Sequence, residues 1–166
     1  SVWSKDYHKE MGPNTFSKTG PQILAGAVGP KAMSMSADFA EGLAGFSFNA
    51  DLKEINDSFN RVEEAFAQKK ISPRLITSFW FGLGDTGRDD IKTHLTRYLG
   101  WMGKDLAKNL SETAGFSGNQ DDLYDFLVKI KDLGATDTLL VPTSRDIDQL
   151  SMAEEVVSQF NQQSTN

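Results

Sequence analysis

Apolar residues along the chain follow two alternating rhythms. Short continuous apolar runs at 22–28, 43–48, 74–82 and 138–141 have the length and density of strands buried on both faces. Between them lie stretches whose apolar residues recur every three or four positions, the period of a helix with one face toward a core. The clearest has Leu52, Ile55, Phe59, Val62 and Phe66 on one face, with Asn49 or Asp51 placed to cap it. Pro30 suits a first helical position, with Ala32, Met33, Ala37 and Ala40 facing the core and Gly42 ending that helix. Ile91, Leu95, Tyr98, Leu99 and Met102 predict another helix, interrupted near Gly100 and Gly103, with Leu106 and Leu110 in a second piece. Residues 121–133 form the next, stopping at Gly134. The last takes Asp146 as its cap and Ile147, Leu150, Val157 and Phe160 as its apolar side. Residues 1–20 form an irregular lead and 162–166 a polar tail, around what reads as a single domain over 1–166.

Four strand–helix repeats with apolar strands predict an α/β protein with a parallel sheet covered by helices. Four units are half of a (βα)8 barrel of TIM type. A four-stranded open sheet of flavodoxin type has the same periodicity, so the pattern alone leaves both open.

Composition narrows the partners. With 17 Lys and Arg against 23 Asp and Glu, the net charge of −6 argues against nucleic acid, whose binding relies on clustered cations. Small-molecule substrates fit better. There is no cysteine, which excludes disulfides, thiolate metal sites and a thiol nucleophile. No apolar run approaches the roughly 20 residues of a membrane span. A cytoplasmic protein without a membrane partner is expected. The start at Ser1, without Met, reads as mid-protein or processed.

The strongest local motif is Gly26, Ala27, Val28, Gly29, Pro30 and Lys31, where a strand ends and a helix begins. Helix N-terminal amides favour a phosphate, glycines let a backbone approach it closely, and Lys31 adds a positive charge. Spacing alone is met more often in an ordinary tight βα turn. Gly82, Gly84 and Gly87 match G-x-G-x-x-G, the pattern of a Rossmann-like nucleotide-binding domain. The acidic residue about 20 positions on that should hold a ribose would be Asp105, which falls in a helical stretch. A turn with Asp85 or Thr86 capping the helix is the expectation there.

His8 and His94 have no carboxylate or second histidine at metal-ligand spacing, so no metal site is expected. Ser47, Ser78, Thr143 and Ser144 stand near strand ends without a nucleophile elbow or a partner base. No catalytic acid, base or nucleophile emerges. Phe79, Trp80 and Phe81 have the character of core packing, with a pocket for a flat ring as the alternative. Glu63, Glu64, Asp89, Asp90, Asp121 and Asp122 read as solvated helix faces.

The run from Gly20 to Met33 with Ala37, Ala40, Glu41 and Gly42, the run from Pro73 to Asp85, Tyr98 with Leu99, and the run from Asp132 to Thr143 resemble, in order and spacing, the bacterial luciferase-like flavin-dependent oxidoreductase and monooxygenase family over residues 20–157. The resemblance implies the C-terminal half of a (βα)8 barrel that binds FMN, or in a sister branch coenzyme F420, at the C-terminal ends of its strands. It implies reduced flavin from a partner flavin reductase, with O2 used to oxidise a small organic substrate. It assigns the cofactor phosphate to Gly26, Ala27, Val28, Gly29 and Lys31, and places Ser47 near the ring. It also implies that the first four or so strands are missing. End strands would then expose unpaired backbone groups, so the partner would be the chain's own N-terminal half or a second chain. A non-enzymatic flavin-binding half-barrel and the Rossmann-like domain stand as alternatives.

Overall fold

A computed structural model describes residues 20–164, so the irregular lead, His8 and the last two residues of the tail lie outside the described residues. Five strands alternate with six α-helices. They are β1 (Leu24–Ala25), α1 (Pro30–Ser36), β2 (Gly42–Ala44), α2 (Leu52–Ala67), β3 (Arg74–Leu83), α3 (Gly87–Tyr98), α4 (Lys104–Ser111), β4 (Phe116–Gly118), α5 (Gln120–Asp132), β5 (Asp137–Pro142) and α6 (Ile147–Ser164). A single 3-10 turn, Gly100–Met102, links α3 to α4.

Every strand pair is parallel, and β3 is the hub. Alternate carbonyls of a strand point to opposite edges. Ile76 and Ser78 accept from Gly45 N–H at 2.7 Å and Ser47 N–H at 2.9 Å, whereas Leu75 accepts from Thr136 N–H at 2.8 Å. β2 therefore lies on one edge of β3 and β5 on the other. The short β4 continues the track of β2, joined by the bond from Gly115 N–H to the Phe48 carbonyl at 2.8 Å. Leaving β4 aside, the order β1, β2, β3, β5 follows the sequence with no reversal. An open doubly wound sheet reverses its order and this one does not, so the flavodoxin alternative falls away.

The helices divide between the two faces. Phe79 and Phe81 join Phe59 and Phe66 of α2, Leu123 and Leu127 of α5 and Val156 of α6 in the main core. Trp80, facing the opposite way, packs with Ile91 and Leu95 of α3 and Ala107 of α4. The face bearing α1, α2, α5 and α6 corresponds to the outside of a barrel, and the Trp80 face to its interior. The α3–α4 hairpin thus covers the C-terminal end of the concave face. Gly82 and Gly87 make this entry possible, since a Cβ on Gly82 would stand 2.3 Å from the Gly87 carbonyl oxygen.

At the other end of the strands, the Arg74 Nε and Nη2 contact Asp137 Oδ2 at 2.9 and 2.8 Å, and Nη1 donates to Gln22 Oε1 at 2.9 Å. Gly42 stands in register between Leu24 and Arg74 and presents no side chain to obstruct that reach. These bonds tie β3, β5 and the segment leading into β1 through one guanidinium.

Several elements depart from the periodic reading. β1 and β2 pair over only two and three residues, although apolar runs extend further. Gly42 opens β2, because α1 already ends at Ser36. β4 has no apolar run of its own; its backbone pairing creates it. Asn119, for which no cap was expected from the periodic pattern, caps α5 in a complete capping box with Asp122. Tyr98, Met102 and Leu106, expected to face a core, are exposed, whereas Leu99 and Ala107 are buried. The expected polar tail continues α6 as far as Ser164.

The largest phase error is in α6. Ile147 and Leu150 are exposed, while Gln149, Ala153 and Val156 face inward. Gln149 decides this, because its amide pairs with Leu83 like a short strand. Leu83 N–H donates to Oε1 at 2.7 Å and Nε2 donates to the Leu83 carbonyl at 2.8 Å. Replacing Gln149→Leu keeps the volume but leaves two buried backbone groups unsatisfied, and should destabilise by about 2–4 kcal/mol in urea unfolding. Leu150→Gln, one position on, should stay within about 0.5 kcal/mol of the native protein.

Candidate functional site

The strand C-terminal edge carries a groove of 540 Å³, within the range of small-molecule sites. Its floor is small and apolar, made by Gly26, Ala27, Val28, Ala44, Gly45 and Phe46 from the loops that follow β1 and β2. Its opposite wall is the flank of α2, where Glu54, Asp57, Ser58 and Arg61 recur at helical spacing. Ser47 and Thr77 complete the lining from within. Groove and core share α2: Ile55, Phe59, Val62 and Phe66 hold one stripe of the helix buried, which presents the adjoining polar stripe to the groove.

Ser47 is buried, and its hydroxyl is committed. Oγ donates to Glu54 Oε2 at 2.7 Å and accepts from the Asp51 N–H at 3.1 Å, while Asp51 caps α2 through the Glu54 N–H at 2.8 Å. These bonds pre-orient the start of α2 and engage both the Ser47 proton and a lone pair of its Oγ in the helix start. Lys53 is paired with Asp57 at 2.7 Å, and Arg61 is the other cation of the groove lining.

Of the expected cofactor residues, Gly26, Ala27, Val28 and Ser47 meet in this groove, whereas Gly29 and Lys31 do not line it. Lys31 is exposed. The helix following the turn is short. Pro30 has no N–H and Met33 N–H bonds the Gly29 carbonyl at 3.0 Å, so only the Lys31 and Ala32 amides remain open there. At Gly26 and Gly29 an added Cβ would meet no atom within 4 Å, so the turn is open to close backbone approach. The wall residues Glu54, Asp57 and Arg61 were not anticipated. Their signal was present in the sequence as a polar stripe beside the apolar one of α2, but nothing there told which loop it would face.

The Gly82–Gly87 loop does not form a nucleotide cradle. Gly82 and Gly87 pack backbone to backbone, Gly84 N–H bonds the Gly118 carbonyl at 2.9 Å, and Gly87 N–H bonds Gly84 at 3.1 Å. Arg88 is turned away to Ala114, Gly115 and Ser117. Thr86 is the N-cap of α3 but makes no side-chain cap bond; its Oγ1 donates to Asp90 Oδ2 at 3.1 Å. Phe79 and Phe81 are core residues as expected, and Ser78 donates to the Gly45 carbonyl at 2.8 Å. Thr143 donates to the Phe81 carbonyl at 2.8 Å, closing the top of β5. Among the described residues, no group of three or more His, Asp or Glu could hold a metal, and no helix is long and apolar enough to cross a membrane.

No family model and no curated protein matches this chain by sequence. Solved structures do match in three dimensions. An F420-dependent secondary alcohol dehydrogenase, in complex with an F420-acetone adduct, aligns with a TM-score of 0.59 at 14% identity, over 80% of this chain and 46% of that one. The monooxygenase RslO1 from Streptomyces bottropensis aligns at 0.56 and 11% identity, over 93% and 51%. The coenzyme F420 dependent tetrahydromethanopterin reductase from Methanopyrus kandleri aligns at 0.57 and 16%, over 80% and 48%. The likeness is one of fold: a parallel α/β sheet that corresponds to part of each of these structures. This chain spans about half the length of the structures it resembles. The groove occupies the strand C-terminal face, where barrel enzymes place their sites.

His94, on α3, stacks on Tyr98 with ring centroids 5.9 Å apart. Burial, and then the charge of Arg97, hold its imidazole below the ordinary value of 6.5. The folded state thus prefers the neutral ring. The resulting stabilisation is complete above the unfolded value of about 6.5 and declines as pH falls toward the folded one. An NMR titration should place the His94 midpoint below that of a free imidazole, and His94→Gln should flatten the acid limb of stability against pH.

Proposed function

We propose that this chain is the C-terminal portion of a luciferase-like flavin-dependent oxidoreductase or monooxygenase acting on a small organic substrate. The observation that carries the reading is the 540 Å³ groove at the strand C-terminal edge, in a fold shared with F420-dependent enzymes and a monooxygenase. FMN is the proposed cofactor, with F420 as the alternative. The groove fits such a group in two respects. Its floor of Gly26, Ala27, Ala44 and Gly45 carries only hydrogen or methyl side chains, and an added Cβ at Gly26 would meet no atom within 4 Å.

In this reading Gly26, Ala27, Val28 and Gly29 offer backbone approach, and the Lys31 and Ala32 amides with the Arg61 guanidinium supply positive potential for the phosphate. Ser47 acts indirectly, by fixing Glu54 and the start of α2. The bound cofactor supplies the redox chemistry, and the chain's own residues position it and exclude water. An FMN enzyme of this kind draws reduced flavin from a partner reductase. The remaining strands of the barrel come from the chain's own N-terminal half or from a second chain.

Titration with FMN, F420 and NADH, followed by fluorescence, tests the reading on this chain and on a form carrying the remaining barrel units. FMN or F420 should bind, and NADH should not. If neither flavin-type cofactor binds either form, the proposal fails. Flavin binding without substrate-dependent oxygen consumption in the complete form would mark a non-enzymatic flavin module instead. Gly26→Val places a branched side chain in open groove space, so it should weaken cofactor binding at least about 10-fold while leaving the melting temperature unchanged.

A further inference from the structure

Among the described residues six polar side chains are buried: Ser36, Ser47, Thr77, Ser111, Thr143 and Gln149. Five of them are bonded within the chain. Ser36 donates to the Met33 carbonyl and Ser111 to the Lys108 carbonyl, both at 2.7 Å, and Ser47, Thr143 and Gln149 make the bonds given above. Thr77 is the exception. It is 2% exposed, and its hydroxyl has no hydrogen-bond partner among the described residues. Thr77 lies two residues from both Leu75 and Phe79 on β3, so it shares their face and points toward α2, away from the Trp80 side.

A hydroxyl buried without a partner is costly, because nothing replaces the water it has lost. Among the described residues, however, no side-chain oxygen or nitrogen that is wholly shut off lacks a partner, so the Thr77 oxygen reaches an opening. That opening is the inner end of the groove, where Thr77 lies with Ala44 and Gly45 on one side and the buried Ile55 and Phe59 of α2 on the other. It is a slot between the sheet and the chain's own helix. Nearer the mouth stand Glu54 and Asp57. Each commits one oxygen within the chain, Glu54 Oε2 to Ser47 and Asp57 Oδ2 to Lys53, both at 2.7 Å. The second oxygen of each takes no hydrogen bond among the described residues.

We propose that the inner end of the groove holds a neutral polyol chain, with one hydroxyl bonded to Thr77 Oγ1 and others donating to Glu54 and Asp57. The donors and acceptors present select this class. A threonine hydroxyl both gives and takes a hydrogen bond, whereas an ionised carboxylate only accepts, so the ligand must bring several O–H donors. An anion would meet two carboxylates. A cation at Thr77 would lose its water between Ile55 and Phe59 with no charge beside it there. This rests on the functional reading above, in which the groove is the cofactor site and the polyol is the ribityl chain of the flavin. A free polyol is the second source of the same chemistry.

Three probes test this by calorimetry, on this chain and on the form carrying the remaining barrel units: riboflavin, lumiflavin, which has the ring without the ribityl chain, and ribitol. Thr77→Val keeps the branched shape and removes the hydroxyl. If the ribityl chain is the ligand, riboflavin should bind more tightly than lumiflavin, and Thr77→Val should weaken riboflavin by about 3- to 10-fold while leaving lumiflavin unchanged. If a free polyol is the ligand, ribitol should bind by itself and weaken by the same factor. Thr138→Val, on β5 and outside the groove lining, should alter none of these affinities. The unliganded Thr77→Val protein should melt at the same temperature or higher, since no bond within the chain is lost. A lower melting temperature would show that the hydroxyl serves the fold, through a trapped water or a bond, and would overturn the polyol contact. So would failure of both riboflavin and ribitol to bind, or indifference of both to Thr77→Val. Loss of binding in the form with the remaining barrel units would show that further chain fills the slot, and overturns it too. FMN titration separates the two proposals. FMN binding that ignores Thr77→Val removes only the polyol contact, whereas absence of FMN and F420 binding removes the reading beneath it and leaves the contact to stand or fall on ribitol.

Discussion

Everything in this molecule is referred to β3, a ten-residue strand that must satisfy two edges and cover two faces at once. Buried backbone groups demand partners, so its edges recruit β2 and β4 on one side and β5 on the other. Its apolar side chains alternate between faces, so Phe79 and Phe81 gather α2, α5 and α6, while Trp80 gathers α3 and α4. Where no strand remains to pair with the end of β3, the Gln149 amide serves in its place. That requirement overrides the apolar pattern of α6 and leaves Ile147 and Leu150 in solvent.

The candidate site is a by-product of the same geometry. Strands that end together bring their following loops together, and α2, clamped by its buried stripe, brings a polar flank over the loops of β1 and β2. Ser47 matters through this clamp: its hydroxyl bonds organise Glu54 and the Asp51 cap before any ligand arrives. On the opposite face of β3, Phe46, Phe48 and Tyr98 each set a ring edge-on against Trp80. At the far end Arg74 draws β3, β5 and the segment leading into β1 together and gives that face a polar base.

The sheet's outermost strands, β1 and β5, lie at opposite ends of an unreversed order, and Leu139 and Phe46 on the concave face are exposed. The chain matches about half of each longer solved structure.

The sequence by itself determined the class of fold, the places of the four apolar strand runs, and the helices with uniform apolar stripes such as α2. Period and burial are local properties that a chain carries wherever it folds. It also marked Gly26, Ala27 and Val28 as an approachable turn and Ser47 as a strand-end residue. Only the tertiary structure decided that these four meet in one groove while Gly29 and Lys31 stand outside its lining, because that depends on which helix flank lies opposite. It alone created β4, whose strand character comes from its partner's free edge rather than from its own residues. It alone turned α6, where two backbone hydrogen bonds outweighed two apolar side chains. Pairings between residues more than sixty positions apart leave no period in the sequence, and that is where its legibility ends.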